Sequence, residues 1–313
     1  VVKSKIKQHV VPQSYLKRFA QKNTNNNGYN ISVYHVVNGK IFISAIKDVA
    51  FEKNYYDVSN RENEKHWEEY FATQIEPLYG QDLTNIISRI TLINKKEDIL
   101  EIEHKIKLSK MLGFQFVRVP GFLERRFKHG SELFDETIKE TRERFSDSNI
   151  PNLESILGQF IANKSNIIKD LTLDLISQEE RLILFSTVLQ NKSWIIYYNN
   201  SEMPFITSDN PVVMANFNTN SIGYSDNGLG RNDNIIYFPL SSKILLELVP
   251  RNEETVHLDN SLNILSDENL EFITAVNSLQ IIHSTKQSFI HPNYQQELEN
   301  IIEYLKRKMV DSK

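Results

Sequence analysis

The chain has 313 residues, 40% of them hydrophobic and 24% charged, with a formal net charge of −4 and a pI near 6.1. That length can bury a large core, and the acidic balance removes any global pull toward nucleic acid, leaving only a local basic patch. The lack of cysteine excludes disulfides, thiolate nucleophiles and Cys-type zinc sites. No apolar run approaches the ~18 residues of a membrane span, and the lysine-rich start lacks the apolar stretch of a signal peptide, so a cytoplasmic protein is expected.

Near the N-terminus, Pro12 biases Val11 to extended angles and pre-sets φ for a first helical turn. Tyr15, Leu16 and Phe19 then form an inward apolar stripe on a short helix that must dock against something larger, which braces the backbone of His9. Residues 20–30 form an Asn-rich loop. Residues 31–37 and 41–46 flank Asn38-Gly39-Lys40 and read as a β-hairpin. From Glu62 the pattern turns helical, with Trp67, Tyr70, Phe71 and Ile75 on the apolar side. Glu69 and Glu76 lie two α-helical turns apart, so their carboxylates share a face: a solvated edge, or a site that includes His9. Pro77 is expected to break or kink this helix, which resumes over 83–93.

Residues 97–119 read as a long helix. On it Gln115 and Arg118, three residues apart among Phe114, Phe116 and Val117, direct their heads into the protein; a buried arginine needs a carboxylate or a bound anion. Pro120-Gly121 ends it. Glu124 to His129 is a basic cluster with an aromatic inside, and helices are expected over 131–145 and 152–175. A Ser177-Gln-Glu-Glu180 capping box opens a helix to Leu189. Residues 193–198, 204–207, 235–240 and 244–249 read as strands of one small mixed or antiparallel sheet. The second of these ends in Ser208-Asp209-Asn210-Pro211, where the polar side chains either hold the turn through backbone bonds or project into a cleft. Residues 218–233 form a mobile loop whose Gly228-Leu-Gly230 lacks the strand-then-helix context of a dinucleotide site. A polar connection over 250–264 follows. Ser266 caps a helix through Ile282 on which Asn277 can reach the sheet's polar end, and 293–308 is the last helix.

Four stretches carry a family resemblance: His9-x-Val11-Pro12-x-x-Tyr15-Leu16-x-x-Phe19; Glu69-Tyr-Phe-Ala-Thr-Gln-Ile-Glu76; Gln115-Phe-Val-Arg118-Val-Pro120; and Pro204-Phe-Ile-Thr-Ser-Asp-Asn-Pro-Val212, followed by Phe238-Pro239-Leu240. In this order they resemble DUF4238, a family of mostly bacterial proteins. The fold expected is α+β: a predominantly helical single domain over 1–313, with a small mixed or antiparallel sheet, an N-terminal β-hairpin and a helical insertion at 121–175. The resemblance implies no activity, but it selects His9, Glu69, Glu76, Gln115, Arg118, Ser208, Asp209 and Asn210 as candidate site residues. An oxygen-rich set with one imidazole suits Mg²⁺ or Mn²⁺ better than Zn²⁺. The expectation is a metal-dependent phosphoester hydrolase, a nuclease in particular, in a bacterial defence or toxin-like role. Glu69, Glu76 and Asp209 would hold the metal, His9 would be base or ligand, and Gln115 and Arg118 would act on the transferring phosphate. Ser208 and Asn210 would bind the nucleic acid or nucleotide. On this reading Asp209→Ala spares the fold. The alternatives are a non-catalytic nucleotide- or anion-binding module and an internal polar brace.

Overall fold

The computed structural model describes residues 7–24, 27–59, 62–63, 65–92, 99–146, 150–219, 221–222 and 228–311. The strands are β1 (Lys7–His9), β2 (Gln21–Lys22), β3 (Tyr29–His35), β4 (Lys40–Ala45), β5 (Phe51–Lys53), β6 (Ser193–Asn199), β7 (Thr207–Ser208), β8 (Val213–Asn216), β9 (Asn234–Ser241), β10 (Ile244–Val249), β11 (Ser261–Leu265) and β12 (Gln287–Ile290). The helices are α1 (Gln13–Leu16), α2 (His66–Tyr70), α3 (Leu83–Leu92), α4 (Ile102–Arg118), α5 (Pro120–Arg144), α6 (Leu153–Ala162), α7 (Lys164–Ser177), α8 (Glu179–Gln190), α9 (Leu270–Ile282) and α10 (Gln295–Asp311). The architecture is mixed α+β with more helix than strand. No helix among the described residues is long and apolar enough to cross a membrane.

The strands form three sheets rather than one small sheet and a hairpin. In the first, β10 lies between β6 and β9, antiparallel to both; β8 pairs β9 and β11 runs parallel to β6. All six residues of β10 are buried, as a central strand requires. Pro239 sits in β9 beside the point where the β9–β10 register shifts, the kind of irregularity that tolerates a missing N–H. In the second sheet β3 pairs β4, β2 and β12, and β12 pairs β7. The β3–β4 connection uses Gly39 at φ 70°, the left-handed region glycine enters freely, and Asn38 accepts from the Lys40 N–H. The third sheet is the pair β1–β5.

Residues 204–207 were expected beside β6, but β7 joins β12 and hence the hairpin. The four-residue β12 and β11, within the expected polar connection, are too short or too mixed in pattern to announce themselves as strands. Two helical boundaries also differ. Residues 152–175 hold two helices separated at Asn163. Ser177 bonds back to the Leu173 carbonyl, so α8 starts at an uncapped Gln178 instead of the capping box. The expected start of the long helix at Glu97 and part of the 218–233 loop lie outside the described residues.

Helix α2 passes without a break into π-helical turns at Phe71–Ile75 and Leu78–Asp82, and then into α3. Its buried positions explain the winding: Trp67, Phe71, Ile75, Tyr79 and Leu83 recur every fourth residue. At about 3.6 residues per turn that series drifts off the core face; the wider π turns keep it there. Pro77 lies between the two π turns, where the i→i−4 ladder is already interrupted, so it does not end the helix.

Candidate functional site

The structure gathers one group of the predicted residues around Arg118. Pro12 caps the short helix at extended ψ 137°, and its carbonyl accepts from the Tyr15 and Leu16 N–H groups. Val10, Val11, Tyr15, Leu16 and Phe19 are buried, which fixes the path of β1. The carbonyls at the end of that path face α4. Arg118 Nη2 donates to the His9 carbonyl, and Gln115 Nε2 donates to the Val10 carbonyl at 3.0 Å. Arg118 Nε donates to the Tyr56 hydroxyl at 3.3 Å, and the guanidinium packs over the rings of Tyr56 and Phe71 at 5.7 and 5.0 Å.

Arg118 is only 1% exposed, and a buried guanidinium needs compensating charge. Two half-buried carboxylates lie within its electrostatic reach. Burial pushes Glu68 up to about 7, against the pull of Arg118 and with added repulsion from Glu76 and Asp57. Glu76 is likewise raised by burial and held back by Arg118. His9 is lowered by burial and then by Arg118, partly offset by a hydrogen bond to the Lys47 backbone, so its imidazole is neutral at pH 7. Three polar atoms of this cluster are buried without a partner among the described residues: His9 Nε2, Gln115 Oε1 and Arg118 Nη1. With Nε2 unpartnered, Nδ1 is the nitrogen left to meet the Lys47 backbone, which leaves Nε2 as a free acceptor.

Glu69 is not in this cluster. It is exposed and accepts from Asn63 Nδ2 at 2.7 Å. The seven-residue spacing to Glu76 puts two side chains on one face only in an α-helix. The π turn at 71–75 inserts the equivalent of one residue, so Glu68, eight residues from Glu76, takes the inward position.

Ser208, Asp209 and Asn210 form a second cluster, and it is braced. Asp209 Oδ1 accepts from Thr285 N at 2.7 Å, and Oδ2 accepts from Lys286 N at 2.7 Å and Gln287 N at 3.0 Å. Burial lifts this carboxyl to about 6 against those three donors. Ser208 Oγ donates to Gln280 Oε1, Gln280 Nε2 donates to the Pro211 carbonyl, and Asn210 Nδ2 donates to the His283 carbonyl. Asn277 accepts from Ile206 N and donates to the Pro204 carbonyl, the reach to the sheet's polar end that its place on α9 suggests. The two clusters are neighbours: Asp209 borders a hollow of about 180 Å³ with Val10 and Pro120. No group of three or more His, Asp or Glu side chains is placed to hold a metal ion among the described residues.

The first family-like stretch also bonds to the last. Tyr15 OH donates to the Pro239 carbonyl at 2.6 Å and shares a hydrogen bond of 2.9 Å with Thr207, and its ring stacks on Phe238. A family model described as a protein of unknown function (DUF4238) matches residues 7–293. The chain belongs to the DUF4238 family. No curated protein and no solved structure matches it. In this DUF4238 chain, sequence reasoning missed Glu68, Tyr56 and Tyr79 around Arg118. The fourfold apolar ladder from Trp67 to Leu83 was the available signal for Glu68 and Tyr79, because it demands π winding and rotates Glu68 inward. Tyr56 lies in a connecting segment with no periodicity to orient it.

Proposed function

We propose that the Arg118 cluster of this DUF4238 protein is a phosphoester-cleaving site, and that the protein is a nuclease in which His9 is the base and Glu68 the acid. One observation carries the reading: His9, Gln115 and Arg118 each hold a buried polar atom without a partner among the described residues, and Arg118 lies within electrostatic reach of two half-buried carboxylates, Glu68 and Glu76. Orphaned buried polar atoms are costly, so a ligand that satisfies them gains what the fold leaves unmet.

In the step proposed, His9 Nε2 takes a proton from the attacking hydroxyl, whose oxygen bonds to phosphorus. The bond to the leaving oxygen breaks, and Glu68 gives that oxygen its proton. His9 ends protonated and Glu68 ionised, and exchange with solvent resets both. Arg118 Nη1 meets the charge on the non-bridging oxygens, Gln115 Oε1 orients the attacking hydroxyl, and Glu76 holds Arg118 in place. Glu68 and Glu76 are the part-exposed members, so on this reading substrate would enter from their side. The three backbone bonds on Asp209 favour the brace reading for the Ser208–Asn210 segment, which on this account supports the site and does not touch substrate.

The test is cleavage of single-stranded RNA and DNA oligonucleotides. His9→Ala and Glu68→Gln are each expected to lower kcat/KM about 10²–10⁴-fold with melting temperature little changed. The rate should rise as His9 loses its proton below pH 6.5 and fall as Glu68 loses its own near pH 7, and Glu68→Gln should remove the falling limb. Cleavage that stops on chelation and returns with Mg²⁺ or Mn²⁺ would move Glu68 and Glu76 from proton transfer to metal ligation. Saturable nucleotide binding without product would replace the enzyme with a binding module.

A further inference from the structure

Helices α5, α6, α7 and α8 and the end of α4 border a cavity of about 800 Å³ that none of the residues of the Arg118 cluster lines. Phe116 and Val117 line it, while Gln115 and Arg118 on the same helix turn toward the His9 and Val10 carbonyls. The walls are apolar, and several wall residues remain open to solvent: Leu133, Phe160 and Leu171 are 48%, 50% and 65% exposed. The lining side chains that titrate are Arg126, His129 and Arg181; no carboxylate lines the cavity among the described residues. Arg126 packs over the Phe122 ring at 5.3 Å, and Arg181 Nε is buried with no partner among the described residues.

We propose that this cavity binds a long-chain carboxylate, with its tail between α5, α6 and α7 and its head on Arg181. The volume falls in the ~300–1,000 Å³ range of small-molecule sites, and an apolar lining with few polar groups is how such sites fix an amphiphile's direction. A carboxylate is the planar acceptor that a guanidinium matches through two N–H groups at once, and it would satisfy the donor the fold leaves open. The charged side chains of the lining, Arg126 and Arg181, are both cationic, which excludes a cationic head by repulsion, and a neutral head brings no charge to offset the loss of water around Arg181.

The experiment titrates the full chain with palmitate, hexadecanol and hexanoate, read by calorimetry and native mass spectrometry. One palmitate per chain is expected, with hexadecanol and hexanoate binding at least about tenfold more weakly. Arg181→Gln should bring palmitate down to the level of hexadecanol. Thr137 is exposed, lines the cavity and spends its hydroxyl on the Leu133 carbonyl of its own helix, so Thr137→Trp should fill the space and block palmitate without unfolding α5. Absence of palmitate binding by the folded chain, equal affinity for acid and alcohol, or indifference to both variants would overturn the proposal. So would partition onto anionic phospholipid vesicles with no one-to-one binding of the free acid, which would make the face a membrane surface. Nuclease activity plays no part in these readouts, so the proposal stands or falls apart from the Arg118 site.

Discussion

Asp209 answers three backbone N–H groups with two acceptor oxygens, which an amide, with one oxygen, cannot do. Asp209→Asn turns one acceptor into an NH₂ that faces N–H donors, and Asp209→Ala leaves all three part-buried donors unmet. Each is expected to cost about 2–3 kcal/mol in a denaturant titration, the range for unsatisfied buried groups. This reverses the sequence-based expectation that Asp209→Ala spares the fold. The pH dependence has a definite sign. The folded carboxyl titrates at about 6 and the unfolded one near the ordinary 3.8, so between those values the folded state holds more protons. Stability contributed at this position is therefore greatest below the unfolded value and declines as pH rises toward 6, and the decline should be missing in Asp209→Ala. The sequence offered both roles for a strand-end aspartate, turn-holder or cleft carboxylate. It could not decide between them because the three donors come from residues 285–287, far along the chain.

The segment from His66 to Leu92 shows what a period can and cannot disclose. Its helical character was legible from composition, yet the face of each acid depended on winding, and a 3.6-residue assumption selected Glu69. The buried ladder of Trp67, Phe71, Ile75, Tyr79 and Leu83 is what forces π turns, since core contact outweighs the poorer hydrogen-bond geometry. A π turn is one residue more than an α turn needs. Deleting the exposed Ala72 should restore α winding between Glu68 and Glu76, shorten their separation from eight residues to seven, and keep both beside Arg118. Unchanged or higher melting temperature and retained activity are expected of this deletion. A loss comparable with that from deleting a residue inside α4, whose face toward His9 has no such slack, would show that the π winding itself is required.

At the level of the whole molecule, the elements most legible in the sequence were local: the turn at Gly39, the Pro12 junction, the strand runs of β6, β9 and β10. Their mutual placement was not, because it rests on bonds between residues far apart. Tyr15 is the clearest case, meeting Thr207 across 192 residues and the Pro239 carbonyl across 224. Through it the N-terminal motif ties β7 of the hairpin's sheet to β9 of the other sheet, while β1 reaches α4 through Arg118 and Gln115. The place of the His9 carbonyl against Arg118 thus depends on a hydroxyl further along the same motif. Tyr15→Phe keeps the ring on Phe238 and removes only that hydroxyl, leaving a buried carbonyl and a buried threonine without it; the expected cost is about 1–3 kcal/mol. Thr207→Val should cost less alone, because the Tyr15 hydroxyl still has the Pro239 carbonyl. If the hydroxyls act as one joint between the sheets, the double variant will be less destabilised than the sum of the two, by roughly 0.5–2 kcal/mol in a double-mutant cycle. Strict additivity would mean that the two hydroxyls do not act together and that Tyr15 holds its place through the Pro239 carbonyl and its ring packing, independently of Thr207.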